Sequence, residues 1–283
     1  MTAVALTGIG VAYDGIAVVH DVDLEVGPGE WLGLIGPNGA GKTTVLKAIA
    51  GMVSATGAIT MDGAAAPGPG RERARTVALV PQTPAIPQGM SVTDYVLLGR
   101  TPHLGLLASE SDRDLSVVAR ALDMLDLNDL AGRRIDTLSG GELQRAILAR
   151  AFAQEAPVLL LDEPTAALDL GHQQEVFRLI DRLRADRELA VISAVHDLTL
   201  AARFCDRVIL LDGGAVVAAG SPRQVITEQN VARHFHADVR VLDHADLGLL
   251  VVPMPSGNGH AERHADQVAD DAADQSDGEV LEP

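Results

Sequence analysis

Four short, almost uninterrupted apolar runs punctuate the chain, at residues 31–35, 77–80, 158–161 and 189–195. Each stops at a polar or glycine-rich element: the loop opening at Gly36, Pro81-Gln82, Asp162-Glu163 and His196-Asp197. Continuous apolar runs of this length predict strands buried on both faces of a parallel sheet. In open α/β sheets, ligands bind beyond the carboxyl ends of the strands. The pattern therefore predicts that the Gly36 loop, Gln82, Asp162 with Glu163, and His196 meet at one sheet edge.

Other patterns fill in the rest. Asp62-Gly63 and Asp212-Gly213-Gly214 separate apolar stretches and predict two tight hairpins. Ser91 is placed to cap a helix over residues 92–98. Residues 112–127 carry helical apolar spacing through Leu115, Val118, Ala119, Leu122 and Leu125. This block reads as a helical insertion between two halves of the sheet domain. Ser221-Pro222 predicts a helix running to about Arg233. No internal repeat is visible.

Composition narrows the classes. With 283 residues, 47% of them hydrophobic but only 2% aromatic, the core must be built from Ala, Val, Leu and Ile. The formal charge of −17 argues against a nucleic-acid partner, which needs a basic surface. Residues 253–283 hold eight acids against one arginine, with no periodic apolar face, and are expected to form an acidic disordered tail. The lone cysteine, Cys205, fits a reducing compartment and a buried, unreactive role. Neither a secretory signal nor an apolar run of about 20 residues is seen, so the expected state is soluble, or held at a membrane through a partner. His234, His236 and His244 lack a metal-ligand spacing.

Lysine occurs only twice, and one copy is Lys42, within Gly36-Pro37-Asn38-Gly39-Ala40-Gly41-Lys42-Thr43-Thr44. The run fits a phosphate-binding loop: glycines let backbone N–H groups face phosphates, and the following helix adds its positive end. Lys42 is suited to the β/γ-phosphates and the Thr43 hydroxyl to Mg²⁺. Asp162 suits a water-mediated Mg²⁺ contact, and Glu163 is placed to orient and deprotonate an attacking water. Tyr13 is a candidate for stacking on the base, or a strand-edge packing residue.

The octamer Leu138-Ser139-Gly140-Gly141-Glu142-Leu143-Gln144-Arg145, in order with these motifs over residues 3 to about 240, resembles the ATP-binding subunit of an ABC transporter. The resemblance implies an α/β fold: a P-loop NTPase (RecA-like) core with a mainly parallel sheet, an N-terminal antiparallel β subdomain and a helical subdomain at about 88–157. Residues 1–240 would form the ATPase domain and 241–252 a short extension. It also implies roles: Tyr13 in the adenine-stacking loop, residues 36–44 in Walker A, Gln82 in the Q-loop, Asp162 in Walker B with Glu163 as catalytic glutamate, and His196 in the H-loop. Mg²⁺ would be held by Thr43, Gln82 and Asp162. Ala167 stands in the D-loop where many members carry serine, and Asp169 follows it. The family binds ATP and Mg²⁺ in a head-to-tail dimer, so Ser139, Gly140, Gly141 and Asp169 would contact ATP in trans. As a bare motif, Ser139 with two glycines ahead of a helix also makes an anion site.

Leu98-Gly99-Arg100-Thr101-Pro102-His103 and Leu168-Asp169-Leu170-Gly171-His172-Gln173 resemble importer ATPases for iron–siderophore, haem or cobalamin. That implies a peripheral position on the cytoplasmic face of the cell membrane, polytopic permease subunits as partners and, indirectly, a solute-binding protein. The alternatives are another import class, an exporter component, or a non-transport ATPase of the same superfamily; one cassette, a short insert and an acidic balance weigh against the last.

Overall fold

The fold is described from a computed structural model covering residues 2–105, 109–165, 169–245 and 248–254. The chain opens with two long antiparallel strands, β1 (Val4–Tyr13) and β2 (Ile16–Val26), then β3 (Trp31–Ile35), α1 (Lys42–Ile49), β4 (Thr56–Met61) and β5 (Ala64–Ala65). Next come α2 (Arg71–Thr76), β6 (Val77–Val80), α3 (Val92–Leu97), α4 (Asp112–Met124), α5 (Gly140–Ala153), β7 (Val158–Asp162), α6 (Leu170–Arg187) and β8 (Ala190–Ala194). The remainder is α7 (Leu198–Phe204), β9 (Arg207–Asp212), β10 (Ala215–Gly220), α8 (Pro222–Val225), α9 (Glu228–Phe235), β11 (Val239–His244) and β12 (Gly248–Pro253).

The main sheet has the order β10-β9-β3-β8-β7-β6, parallel except for β10. Its central strands are the apolar runs, and every residue of β3, β7 and β8 is buried. Alternation along each strand divides the core into two layers. Leu32, Leu34, Leu160 and Ile192 face α1 and a second sheet, β2-β1-β4-β5. Trp31, Leu159, Leu161 and Val191 face the helices α3 to α7. Three of the few aromatics gather on that side: Trp31 stacks on Phe177 at 5.4 Å, and Phe204 lies 5.2 Å from Phe177. The Trp31 indole N–H donates to Ser193 Oγ at 2.7 Å, so the buried ring carries no orphan donor. Burial pushes the neighbouring Cys205 thiol up to about 12, consistent with an inert packing residue.

Both Asp-Gly hairpins form, as β4–β5 and β9–β10. Ser91 caps α3 through a hydrogen bond from Asp94 N at 3.1 Å. Three expectations change. In α4, Leu115 and Ala119 point to solvent while Val117, Val118, Ala121 and Leu122 are buried. Buried Arg100 holds Asp114 on the inner face with a 2.8 Å bond, and Val117 and Ala121 lie there with it in place of Leu115 and Ala119. The same helix ends at Met124 rather than 127. The helix expected from Pro222 to about Arg233 breaks in two, because buried Ile226 leaves helical geometry and Thr227 caps a fresh helix through Asn230 N at 3.1 Å.

Two elements had no local signal. The β1–β2 hairpin was expected only through the resemblance. Past α9, β11 and β12 pair with each other; β11 packs against α9 and β12 against α7, with Leu249 buried. The acidic segment from 255 onward lies outside the described residues. Among the described residues no helix is long and apolar enough to cross a membrane.

Candidate functional site

The loop between β3 and α1 starts at Gly36, whose φ is 148° and where an added Cβ would lie 2.1 Å from the Leu211 carbonyl oxygen. No residue with a side chain fits there. The loop ends at Gly41, φ 99°, which precedes α1 without offering a side-chain cap. Val45, Leu46 and Ile49 anchor the helix in the core. The N-terminal N–H groups of α1 are thus held at the sheet edge by a loop with no competing side-chain acceptor.

Lys42 is 6% exposed, and its ammonium donates to the carbonyls of Gly36 at 2.7 Å and Pro37 at 3.0 Å. Burial lowers its pKa, and the nearby charges of Glu163 and Asp162 partly offset that. Two of its three protons are committed to the loop, which leaves one donor for a ligand. Thr43 Oγ1 donates to Asp162 Oδ1 at 2.8 Å. Burial, with a further push from the Glu163 charge, raises the Asp162 pKa, while the Thr43 bond works the other way. A buried carboxylate in this condition, beside a hydroxyl and a second carboxylate, is a hard-oxygen set that a divalent cation would stabilise; it fits Mg²⁺.

Glu163 sits one residue past β7 with φ 47°, its N–H held by the Ala194 carbonyl at 3.2 Å. A non-glycine residue in the left-handed region is a local strain, here at a position that aims a carboxylate off the sheet edge. Its Oε2 accepts from Gln82 Nε2 at 2.9 Å. An open cavity of about 440 Å³ is lined by residues 38–44 together with Val18, Gln82, Glu163 and His196. The four strand ends therefore meet around one volume. Val18, from β2, is a wall residue that no motif marked; its only signal is the alternation of a strand that the sequence pattern left unpredicted.

Other candidates stand apart. Tyr13 closes β1, 41% exposed, and is not among the residues lining that cavity. Ser139, Gly140 and Gly141 open α5 away from it. Ser139 is exposed and forms a capping box: its Oγ accepts from Glu142 N at 3.4 Å, and its N–H donates to Glu142 Oε2 at 2.8 Å. Asp169 caps α6 and is exposed; Ala167 and Leu168 lie outside the described residues. His103 is tied down, its Nε2 lying 2.8 Å from the Gln154 carbonyl. His234 pairs with Asp212 at 2.7 Å, and no metal-ligand cluster of His, Cys, Asp and Glu occurs among the described residues.

A glycine-rich loop on a mostly parallel sheet, an antiparallel sheet over one face and a helical block inserted between β6 and β7 define an ATP-binding-cassette fold. Comparison with known proteins agrees. The ABC transporter family model matches residues 19–166, and the chain belongs to that family. Among its relatives, the hemin import ATP-binding protein HmuV of Nocardia farcinica is 44% identical over 84% of this chain and 82% of its own. The cobalamin import ATP-binding protein BtuD of Halobacterium salinarum is 40% identical over 88% of this chain, which spans 63% of that relative's length. Among solved structures, a chain of an ABC transporter in an inward-facing conformation superposes with a TM-score of 0.79 at 28% identity, over 90% of this chain and 99% of that one. A dimeric cassette in a post-hydrolysis state with ADP and phosphate has a TM-score of 0.68 at 26% identity, over 78% of this chain and 99% of that one.

Proposed function

We propose that this chain is the ATP-hydrolysing subunit of an ABC importer that energises uptake of a metal chelate (an iron–siderophore complex, haem or cobalamin). It would act as a head-to-tail dimer, docked peripherally on polytopic permease subunits at the cytoplasmic face of the membrane and served by a solute-binding protein. The observation that carries the reading is the meeting of Lys42, Thr43, Gln82, Glu163 and His196 around one cavity at the ends of parallel strands. The hemin and cobalamin importer names of its relatives support the cargo class.

In this reading, backbone N–H groups of residues 38–44 cradle the phosphates, and the spare proton of Lys42 meets the β/γ oxygens. Tyr13 stacks on the adenine. Thr43 and Asp162, with Gln82, would hold Mg²⁺, which would supply neutralisation of phosphate charge. Glu163 accepts a proton from the water that attacks the γ-phosphate, and Gln82 orients the Glu163 carboxylate through its amide. His196 donates to the γ-phosphate and keeps it in line. Ser139, Gly140, Gly141 and Asp169 of a second copy complete the site, so nucleotide favours the closed dimer and hydrolysis releases it.

Glu163→Gln tests this. The variant should retain ATP binding, lose turnover by about 10²–10⁴-fold, and collect as an ATP-dependent dimer by size-exclusion chromatography. Turnover at the parent rate would sink the base assignment. Failure of the native complex to copurify with a polytopic membrane protein would sink the transport assignment.

A further inference from the structure

Asp169 and the turn of Ser139, Gly140 and Gly141 are carried by different helices, yet one side chain touches both. The Asp169 carboxylate accepts from the His172 backbone N–H at 3.0 Å and lies 2.8 and 2.9 Å from His172 Nδ1 through its two oxygens. With an ionised carboxylate as partner, Nδ1 carries the proton. The opposite edge of the ring lies over the first turn of α5: a Cβ added at Gly141 would sit 2.8 Å from His172 Cδ2 and 3.2 Å from Nε2. The imidazole fills the space a side chain at 141 would take. It has no room to shift toward α5, and shifting away breaks the Nδ1 contact to Asp169, leaving only the backbone N–H bond.

We propose that His172 is a positioning residue that clamps Asp169 to the Gly141 turn, so that both contacts to the partner's nucleotide move as one rigid edge. The proposal rests on the head-to-tail reading above. It also gives Gly141 a second reason to lack a side chain, beside exposure of its N–H: any β-carbon would push the ring off Asp169. Because the clamp joins two surfaces that act on a second copy, its loss weakens closure of the dimer and leaves nucleotide capture at Lys42 untouched.

The test is run on full-length Glu163→Gln protein, where closure is separated from turnover. Sedimentation velocity reads the ATP concentration at half-dimerisation, and a fluorescent ATP analogue on dilute protein reads monomer affinity. His172→Ala should raise the half-dimerisation concentration about tenfold with monomer affinity unchanged. His172→Phe keeps a ring against Gly141 but has no proton for Asp169, and should shift in the same direction. Either variant dimerising at the parent's ATP concentration overturns the clamp, as does a parallel loss of monomer affinity. A Glu163→Gln parent that stays monomeric at saturating ATP overturns the head-to-tail reading and the clamp with it; a parent that dimerises alongside unshifted His172 variants overturns the clamp alone.

Discussion

The chain has two helix N-termini suited to an anion, and they are built in opposite ways. At α1 the cap residue is Gly41, with no side chain to compete, and the charge that complements a phosphate, Lys42, is buried and bonded to its own loop. At α5 the cap is Ser139, and the box it forms with Glu142 already satisfies part of the helix end. The first is preorganised within one subunit: a wall of strand ends surrounds it and desolvates its lysine. The second opens on an exposed cap, and among the described residues no cluster of strand ends surrounds it. A half-site that captures nucleotide needs the first design; a half-site that must meet a second copy and part from it again needs the second. The contrast supplies a physical reason for the split site proposed above, in which binding and closure are distinct events.

Replacing Lys42 attacks the preorganised half and should have the largest effect on nucleotide binding. Lys42→Ala removes a charge-assisted contact of about 1.5–3 kcal/mol, so titration calorimetry should find ATP affinity reduced by roughly ten- to a hundredfold. Unchanged affinity would break the comparison at its stronger end. Ser139→Ala attacks the other half. Monomer ATP affinity should stay at the parent value while turnover per subunit falls severalfold. Loss of the cap should cost about 1 kcal/mol of stability, visible as a melting temperature lower by about 2–4 °C. A fall in monomer affinity would mean that the α5 terminus serves its own subunit's nucleotide.

The smallest effect on nucleotide handling belongs to the buried pair Arg100–Asp114 in the helical block. The hydroxyl of Ser111 and the Arg100 guanidinium hold the Asp114 carboxyl down at about 2. A carboxylate held below its unfolded value stabilises the fold at pH values above that unfolded value, and the stabilisation is lost as pH falls from about 4 toward 2. Asp114→Asn should therefore be less stable than the parent near neutrality by chemical denaturation, and the gap should close on acidification through that window. A gap that persists unchanged at pH 2 would show that the pair acts through shape rather than charge.

How far these elements can be read from sequence follows the type of signal. The strands β3, β6, β7 and β8 are buried on both faces, so each is a solid apolar run that stands out without context. The strand-end groups follow directly, since each run stops at the residue that matters. The two Asp-Gly turns are equally local. In contrast, β1 and β2 mix buried and exposed positions and carry register shifts, which interrupt a clean alternation. Val18 was hidden for that reason. The turned face of α4 was hidden because a charged residue, Asp114, occupies a core-facing position, and only its partner fourteen residues earlier in the chain, Arg100, explains that.

The sequence alone determined the strand-end chemistry and the order of the motifs, because these depend on local runs, turns and glycines that specify backbone shape wherever they stand. Only the tertiary structure decided which of those groups touch. Thr43 meets Asp162 and Gln82 meets Glu163 across 119 and 81 residues. Val18 closes the cavity from another sheet, and one imidazole lies between Asp169 and Gly141. Such contacts arise from packing between distant segments, whose geometry no local pattern encodes.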